Sequence, residues 1–109
     1  MRCTAYEIVS HIRRAIGYCK DATFDDFLGK RMLQEACVFN VLRIGELSKA
    51  GLDDVFVKAH PEIPWKQMYG MRNRILHDFD GIRPQVIWST ITEDSPELFN
   101  ALSSIFDTL

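Results

Sequence analysis

The stretch KRMLQEACVFNVLRIGELSKA, Lys30 to Ala50, decides the fold. Leu33, Ala36, Cys37, Val41, Ile44 and Leu47–Ser48 recur at steps of three and four, the signature of a helix with a broad apolar face. Twenty-one residues without Pro are enough for a long helix that neighbours must cover. Gly51 follows as a C-cap candidate. Glu46 sits beside Ile44 and Leu47 on this helix. Its default reading is a solvated carboxylate, and the alternative is a group that orients Arg72 or Arg74.

Working outward, Tyr6 to Tyr18 places Ile8, Ile12 and Ala15 on one stripe with Val9 and Ile16 beside it, an amphipathic helix ending near Lys20 to Ala22. Thr23 reads as an N-cap, with Asp25 and Asp26 in a first turn that suits negative charge. Phe24, Phe27 and Leu28 then anchor a short turn closed by Gly29. Leu52 to Ala59 reads as a short helical piece. His60-Pro61-Glu62-Ile63-Pro64 breaks regular structure, because proline has no amide donor. A third long helix opens at Pro64, at N1, and runs to Leu76 or Asp78. Asp80-Gly81 is a turn. Pro84 opens a fourth helix through Val86, Ile87 and Ile91. Ser95-Pro96-Glu97 reads as the cap and first turn of a last helix. Nothing alternates long enough for a sheet, so the expectation is all-α: one domain over residues 1–109, a four- to five-helix up-and-down bundle.

The totals exclude some functions. The chain has 109 residues, 47% hydrophobic and 26% charged, with net charge -2. Overall charge does not advertise nucleic-acid binding, so such a function needs a local basic patch. The longest uncharged run, Val86 to Thr92, is far short of the roughly 20 residues a membrane helix needs. The N-terminus has no targeting signature. Cys3, Cys19 and Cys37 form no C-x-x-C pair and read as reduced, buried thiols of a cytoplasmic protein. Cys and His spacings match no zinc template, so no metal or cofactor is expected. His11 and His60 lack a partner pattern and read as surface or capping residues. Trp65 and Trp88 read as core or interface anchors, and Arg13 and Arg14 as solvated.

The candidate chemistry lies in MRNRILHDF, Met71 to Phe79. From Pro64 to Pro84 four basic residues (Lys66, Arg72, Arg74, Arg83) face two acidic ones (Asp78, Asp80), so this segment is net +2. Asn73 and His77 are four apart and share a face. Arg72 and His77 are five apart and point about 140° from each other on a straight helix. Either the helix ends near Leu76 and frees His77 to turn, or two copies meet across a two-fold axis and each site draws on both. Arginine matches phosphate oxygens with a fixed fork of donors. Histidine exchanges protons near neutral pH, and RNA carries its own nucleophile, the 2′-OH. Metal-free RNA cleavage to a 2′,3′-cyclic phosphate is therefore within reach. An Arg and a His in a last turn also simply suit the helix dipole, and spacing alone leaves both readings open.

The ordered segments add to this. "FDDFLGKRMLQEACV", "VLRIGELSKA", "HPEIPWKQMYGMRNRILHDF" and "VIWSTITEDSPEL" together resemble the HepT-like branch of the HEPN family over nearly all of the chain. The resemblance implies an all-α homodimer with paired motifs in a cleft at the interface. It implies a metal-independent endoribonuclease acting on tRNA or mRNA, with Arg72 and His77 catalytic and Asn73 as the supporting polar residue. It further implies a toxin neutralised by a minimal nucleotidyltransferase antitoxin, MntA, which can transfer AMP to a Tyr two residues after the His. Here that position is Phe79, which has no hydroxyl. Neutralisation then proceeds by direct binding or through another hydroxyl, or the chain is an altered member. Tyr69, the nearest tyrosine, lies about 80° round the helix from His77 and is a poor substitute. The alternative function is a non-catalytic helical module that binds a nucleotidyltransferase.

Overall fold

The structure, a computed structural model, describes the backbone of residues 2–107 and side chains from Thr4 onward; the Cys3 thiol lies outside the described side chains. The described residues are helical, with no strand among them. Helix α1 spans Arg2–Cys19, α2 Phe24–Gly29, α3 Arg31–Ala50, α4 Asp54–Ala59 and α5 Trp65–His77. Then α6, Pro84–Ser89, runs through a π-helical turn, Thr90–Asp94, into α7, Ser95–Phe106. Residues 84–106 thus form one rod, and four long rods and two short helices make the bundle.

Local chemistry explains most boundaries. Thr23 Oγ1 accepts from Asp26 N–H, and the Asp26 carboxylate accepts from Thr23 N–H, a reciprocal capping box. These hydrogen bonds hold the exposed Asp26 carboxyl below its usual range, that from the Thr23 backbone contributing most. Asp53 caps α4 through Val55 N–H at 2.9 Å. Pro64 is the residue before α5 rather than its first, and Trp65 Nε1 donates to the His60 carbonyl at 2.8 Å to pin the turn.

The last rod corrects the expectation of a separate final helix. Pro96 has no N–H, and in a regular α-helix its ring would strike the carbonyl four residues back. The chain widens instead of stopping: Ser95 N–H reaches the Thr90 carbonyl, five residues back, and Ser95 Oγ donates to the same oxygen at 2.8 Å. Thr90 and Thr92 hydroxyls bond back to the Val86 and Trp88 carbonyls at 2.7 and 2.8 Å, which favours a bend. Ser95 is buried inside the rod, not a cap at its start.

Helix α1 lies between α3 and the 84–106 rod, and α3 carries α5 on its other flank. One core cluster gathers Ile8, Ile12, Ile44, Phe56, Trp65, Met68 and Leu102. The other gathers Ala15, Cys19, Phe27, Cys37, Val41, Ile75, Ile87 and Ile91. Trp88 stacks obliquely on Phe24 and Phe27, so both tryptophans serve packing. His11 is a second correction. It is not a surface residue: it is buried, with Nδ1 at 2.7 Å from Asn40 Oδ1. Asn40 Nδ2 in turn donates to the Ala36 carbonyl, so both buried polar side chains are satisfied as their desolvation demands.

Candidate functional site: the end of helix α5

Helix α5 is held to α3 by close backbone approach. A Cβ on Gly45 would lie 2.7 Å from Arg72 Cβ and 2.9 Å from the Met68 carbonyl oxygen. Only glycine permits this crossing, which explains the Gly of the IGEL segment. Tyr69 adds a tether by donating from its hydroxyl to the Ser48 carbonyl at 3.2 Å. Burial, reinforced by the Asp54 carboxylate, raises the Tyr69 pKa and keeps the phenol a donor.

Arg72 leaves this crossing half-buried. Its Nη1 donates to Asn73 Oδ1 at 2.9 Å, while its buried Nε has no hydrogen-bond partner. The Arg72–Asn73 pair therefore forms within one chain, with guanidinium donors to spare. His77 is the final residue of α5, and Asp78 N–H closes the helix on the Arg74 carbonyl at 2.9 Å. The helix does not end early to release His77, so the first of the two ways to gather the motif is not taken. His77 is exposed and lines a shallow hollow of about 280 Å³ with Asn73, Arg74, Asp78, Gly81 and Ile82. Arg72 does not line that hollow. Asp78 supports its floor by accepting from Gly81 N–H at 3.0 Å; a Cβ on Gly81 would collide with the Asp78 carboxylate.

Phe79 follows directly and is 43% exposed, so the position of the expected tyrosine is open to approach. Glu46 is neither free in solvent nor bonded to Arg72: it is half-buried and pairs with Arg43 at 3.6 Å. The largest groove, about 600 Å³, lies along Met68, Met71, Thr90 and Ser95, and neither Arg72 nor His77 lines it. Cys19 and Cys37 meet at 3.6 Å between sulfurs in the core. Burial raises both thiols, Cys37 to about 12, where desolvation is joined by Cys19. Neither is a nucleophile near neutral pH.

A family model described as Ribonuclease HepT-like matches residues 8–105, a span that includes the IGEL crossing and the whole of α5. The chain belongs to the ribonuclease HepT-like family. Among its relatives, "Probable ribonuclease HepT" of Thermococcus cleftensis is 37% identical over 81 residues, covering 74% of this chain and 73% of the relative. A protein of Caldanaerobacter subterraneus subsp. tengcongensis, provisionally named an RNase, is 35% identical over 86 residues, covering 79% and 76%. Another so named, from Methanocaldococcus jannaschii, is 30% identical over 105 residues, covering 96% and 86%. No solved structure matches at a comparable level. Membership of this HepT-like family makes the chain a ribonuclease-type HEPN domain. Among the described residues no helix is long and apolar enough to cross a membrane.

Proposed function

We propose that the chain is the RNA-cleaving toxin of a toxin–antitoxin pair, with Arg72 and His77 as its catalytic residues and Asn73 as their support. The observation that carries this reading is one unbroken helix, α5, bearing a half-buried arginine with spare donors and an exposed terminal histidine, in a chain of the HepT-like family. Two copies of that helix at a shared cleft supply what one cannot.

In the cleft a phosphodiester of tRNA or mRNA lies against the Arg72 guanidinium. One His77, neutral, accepts the proton of the 2′-OH as the oxygen attacks phosphorus. Arg72 stabilises the charge that gathers on the phosphoryl oxygens. The bond to the 5′-oxygen breaks, and the partner copy's imidazolium protonates that leaving group. The products are a 2′,3′-cyclic phosphate and a 5′-hydroxyl. Each proton-transfer role contributes about 10²–10⁴ in rate, and the step calls for no metal. A minimal nucleotidyltransferase of the MntA type is the expected antitoxin. Phe79 favours neutralisation by direct binding over AMP transfer at this position, since the ring carries no hydroxyl.

The test is cleavage of tRNA and mRNA by purified protein in EDTA. The expected result is cleavage by the parent and its loss, by at least a hundredfold, in His77→Ala. Cleavage absent in both, or equal in both, sinks the assignment. Phe79 also favours a second reading, a non-catalytic module bound to a nucleotidyltransferase. Growth arrest that vanishes with Arg72→Ala rejects that module; binding without toxicity supports it.

A further inference from the structure

Helix α3 has an outer face that the chain itself leaves uncovered. Met32 is 84% exposed and Phe39 55%. They are seven residues apart, within about 20° of each other on the helix, with the exposed Glu35 between them and the half-buried Arg43 one turn beyond. This face points away from the Cys37, Asn40 and Ile44 stripe that meets the core. Helix α5 lies on a flank between the two, because Gly45 touches Arg72. The helices run antiparallel, since Gly45 sits by Arg72 while Val38 and Phe79 line a common hollow. Leu76, 52% exposed, extends the apolar surface onto α5.

We infer that a second copy of this chain docks on the outer face of α3, antiparallel, with the two-fold axis at Phe39, so that Glu35 of each copy meets Arg43 of the other. The inference deepens the shared-cleft reading above and rests on it for its functional part. The charge pattern selects both occupant and register. Glu35 stands four residues before Phe39 and Arg43 four after, so a two-fold axis at Phe39 sets unlike charges opposite each other, twice. It also stacks Phe39 on its own copy and lays Met32 along the stem of Glu46. An axis at Glu46 would oppose Arg43 with Lys49 and Glu46 with itself; an axis at Met32 pairs no charges. Self-complementarity of this kind is what an isologous interface requires. Within one chain Glu35 and Arg43 have only helix-surface pairs, to Arg31 at 3.5 Å and to Glu46 at 3.6 Å, which are worth little and remain compatible with the new contacts.

The geometry assigns the cleft as well. Antiparallel helices packed about 8–10 Å apart have their two-fold axis perpendicular to the plane that contains them. Helix α5 projects roughly along that axis, so both copies of α5 stand on the same side and face each other above the α3 pair. Gly45 is level with Arg72, which sets His77 level with about residue 40 of α3, next to the axis. Two His77 side chains therefore flank the axis, each with its own Arg72 about 7.5 Å back along the helix at 1.5 Å per residue. The partner copy contributes half of the site.

The experiment is sedimentation velocity of the full chain at micromolar concentration, with RNA cleavage and thermal unfolding measured on the same samples. The parent should be dimeric. Arg43→Glu and Glu35→Arg should each weaken self-association at least tenfold while unfolding at the parent's temperature, and the double variant should regain the dimer. A monomeric parent, single variants as dimeric as the parent, or a double variant no better than the singles overturns the inference. Dimeric parent protein without cleavage overturns the ribonuclease reading and leaves the interface standing. Monomeric variants with undiminished cleavage overturn the shared cleft alone.

Discussion

Asn40 and Phe39 are neighbours in sequence and opposites in structure. Asn40 points inward from α3, is 3% exposed, and has bonds to His11 and Ala36. Phe39 points outward and is 55% exposed. On the inner side a polar group is buried and its bonds are completed; on the outer side an aromatic ring is left in water. Each side reverses the usual placement of its residue type. The inner reversal is compensated within the chain, so it belongs to stability. The outer one has no compensation within the chain, and it lies on the helix that carries α5. A polar residue buried with partners speaks of fold; an apolar residue exposed without them speaks of assembly.

The sharpest way to break the inner side is at its tightest point. Gly45→Val places two methyl groups where Arg72 Cβ and the Met68 carbonyl already stand. Overpacking of this kind costs about 1–3 kcal/mol, with the upper end expected because backbone must move. Thermal unfolding reads the loss. Cleavage should fall further than stability does, because α5 carries Arg72 and His77 away from the crossing.

Next comes the buried pair. Asn40→Ala leaves His11 Nδ1 without its partner, a cost of about 1–3 kcal/mol. That lowers the melting temperature by about 4–8 °C for each kcal/mol in a domain of this size. A melting temperature unchanged by the substitution would mean that the hydrogen bond carries no net stability.

The smallest effect is a gradual one with pH. The Cys37 thiol is raised from 9.0 to about 12 in the folded chain, with Cys19 raised as well. The folded state therefore holds protons that the unfolded state releases. Their contribution is fully present below pH 9 and is lost as pH rises toward about 12. Urea midpoints should decline through that window, and Cys37→Ala should flatten the decline. In the native protein at neutral pH, iodoacetamide should label Cys19 and Cys37 only as fast as the chain opens.

The helices were legible because apolar spacing is a local property: the Lys30 to Ala50 stripe, the Thr23 cap and the break at Pro61 and Pro64 all stand where the residues put them. His11 was not legible, because what buries it is Asn40, 29 residues away, and no local pattern pairs them. An Asn on the apolar stripe of α3 was the available signal. Ser95-Pro96-Glu97 misled for a physical reason: the same three residues open a helix or ride inside one, depending on whether the turn before them can widen. Arg72, Asn73 and His77 were legible as candidates from their types and order. That Gly45 sets where Arg72 stands was not, since glycine in a helix looks only like a weak point until its neighbour is known.

The widened turn at Thr90–Asp94 has a consequence for length. Ile87, Ile91 and Ser95 are buried at steps of four, and two such steps drift about 80° on a regular α-helix. The wider turn absorbs the drift and keeps Leu98 and Leu102 facing inward. In effect the rod holds one surplus residue. Removing one residue from this turn, together with Pro96, would restore a regular helix and rotate everything after it. Within this rod, register tolerates substitution far better than deletion.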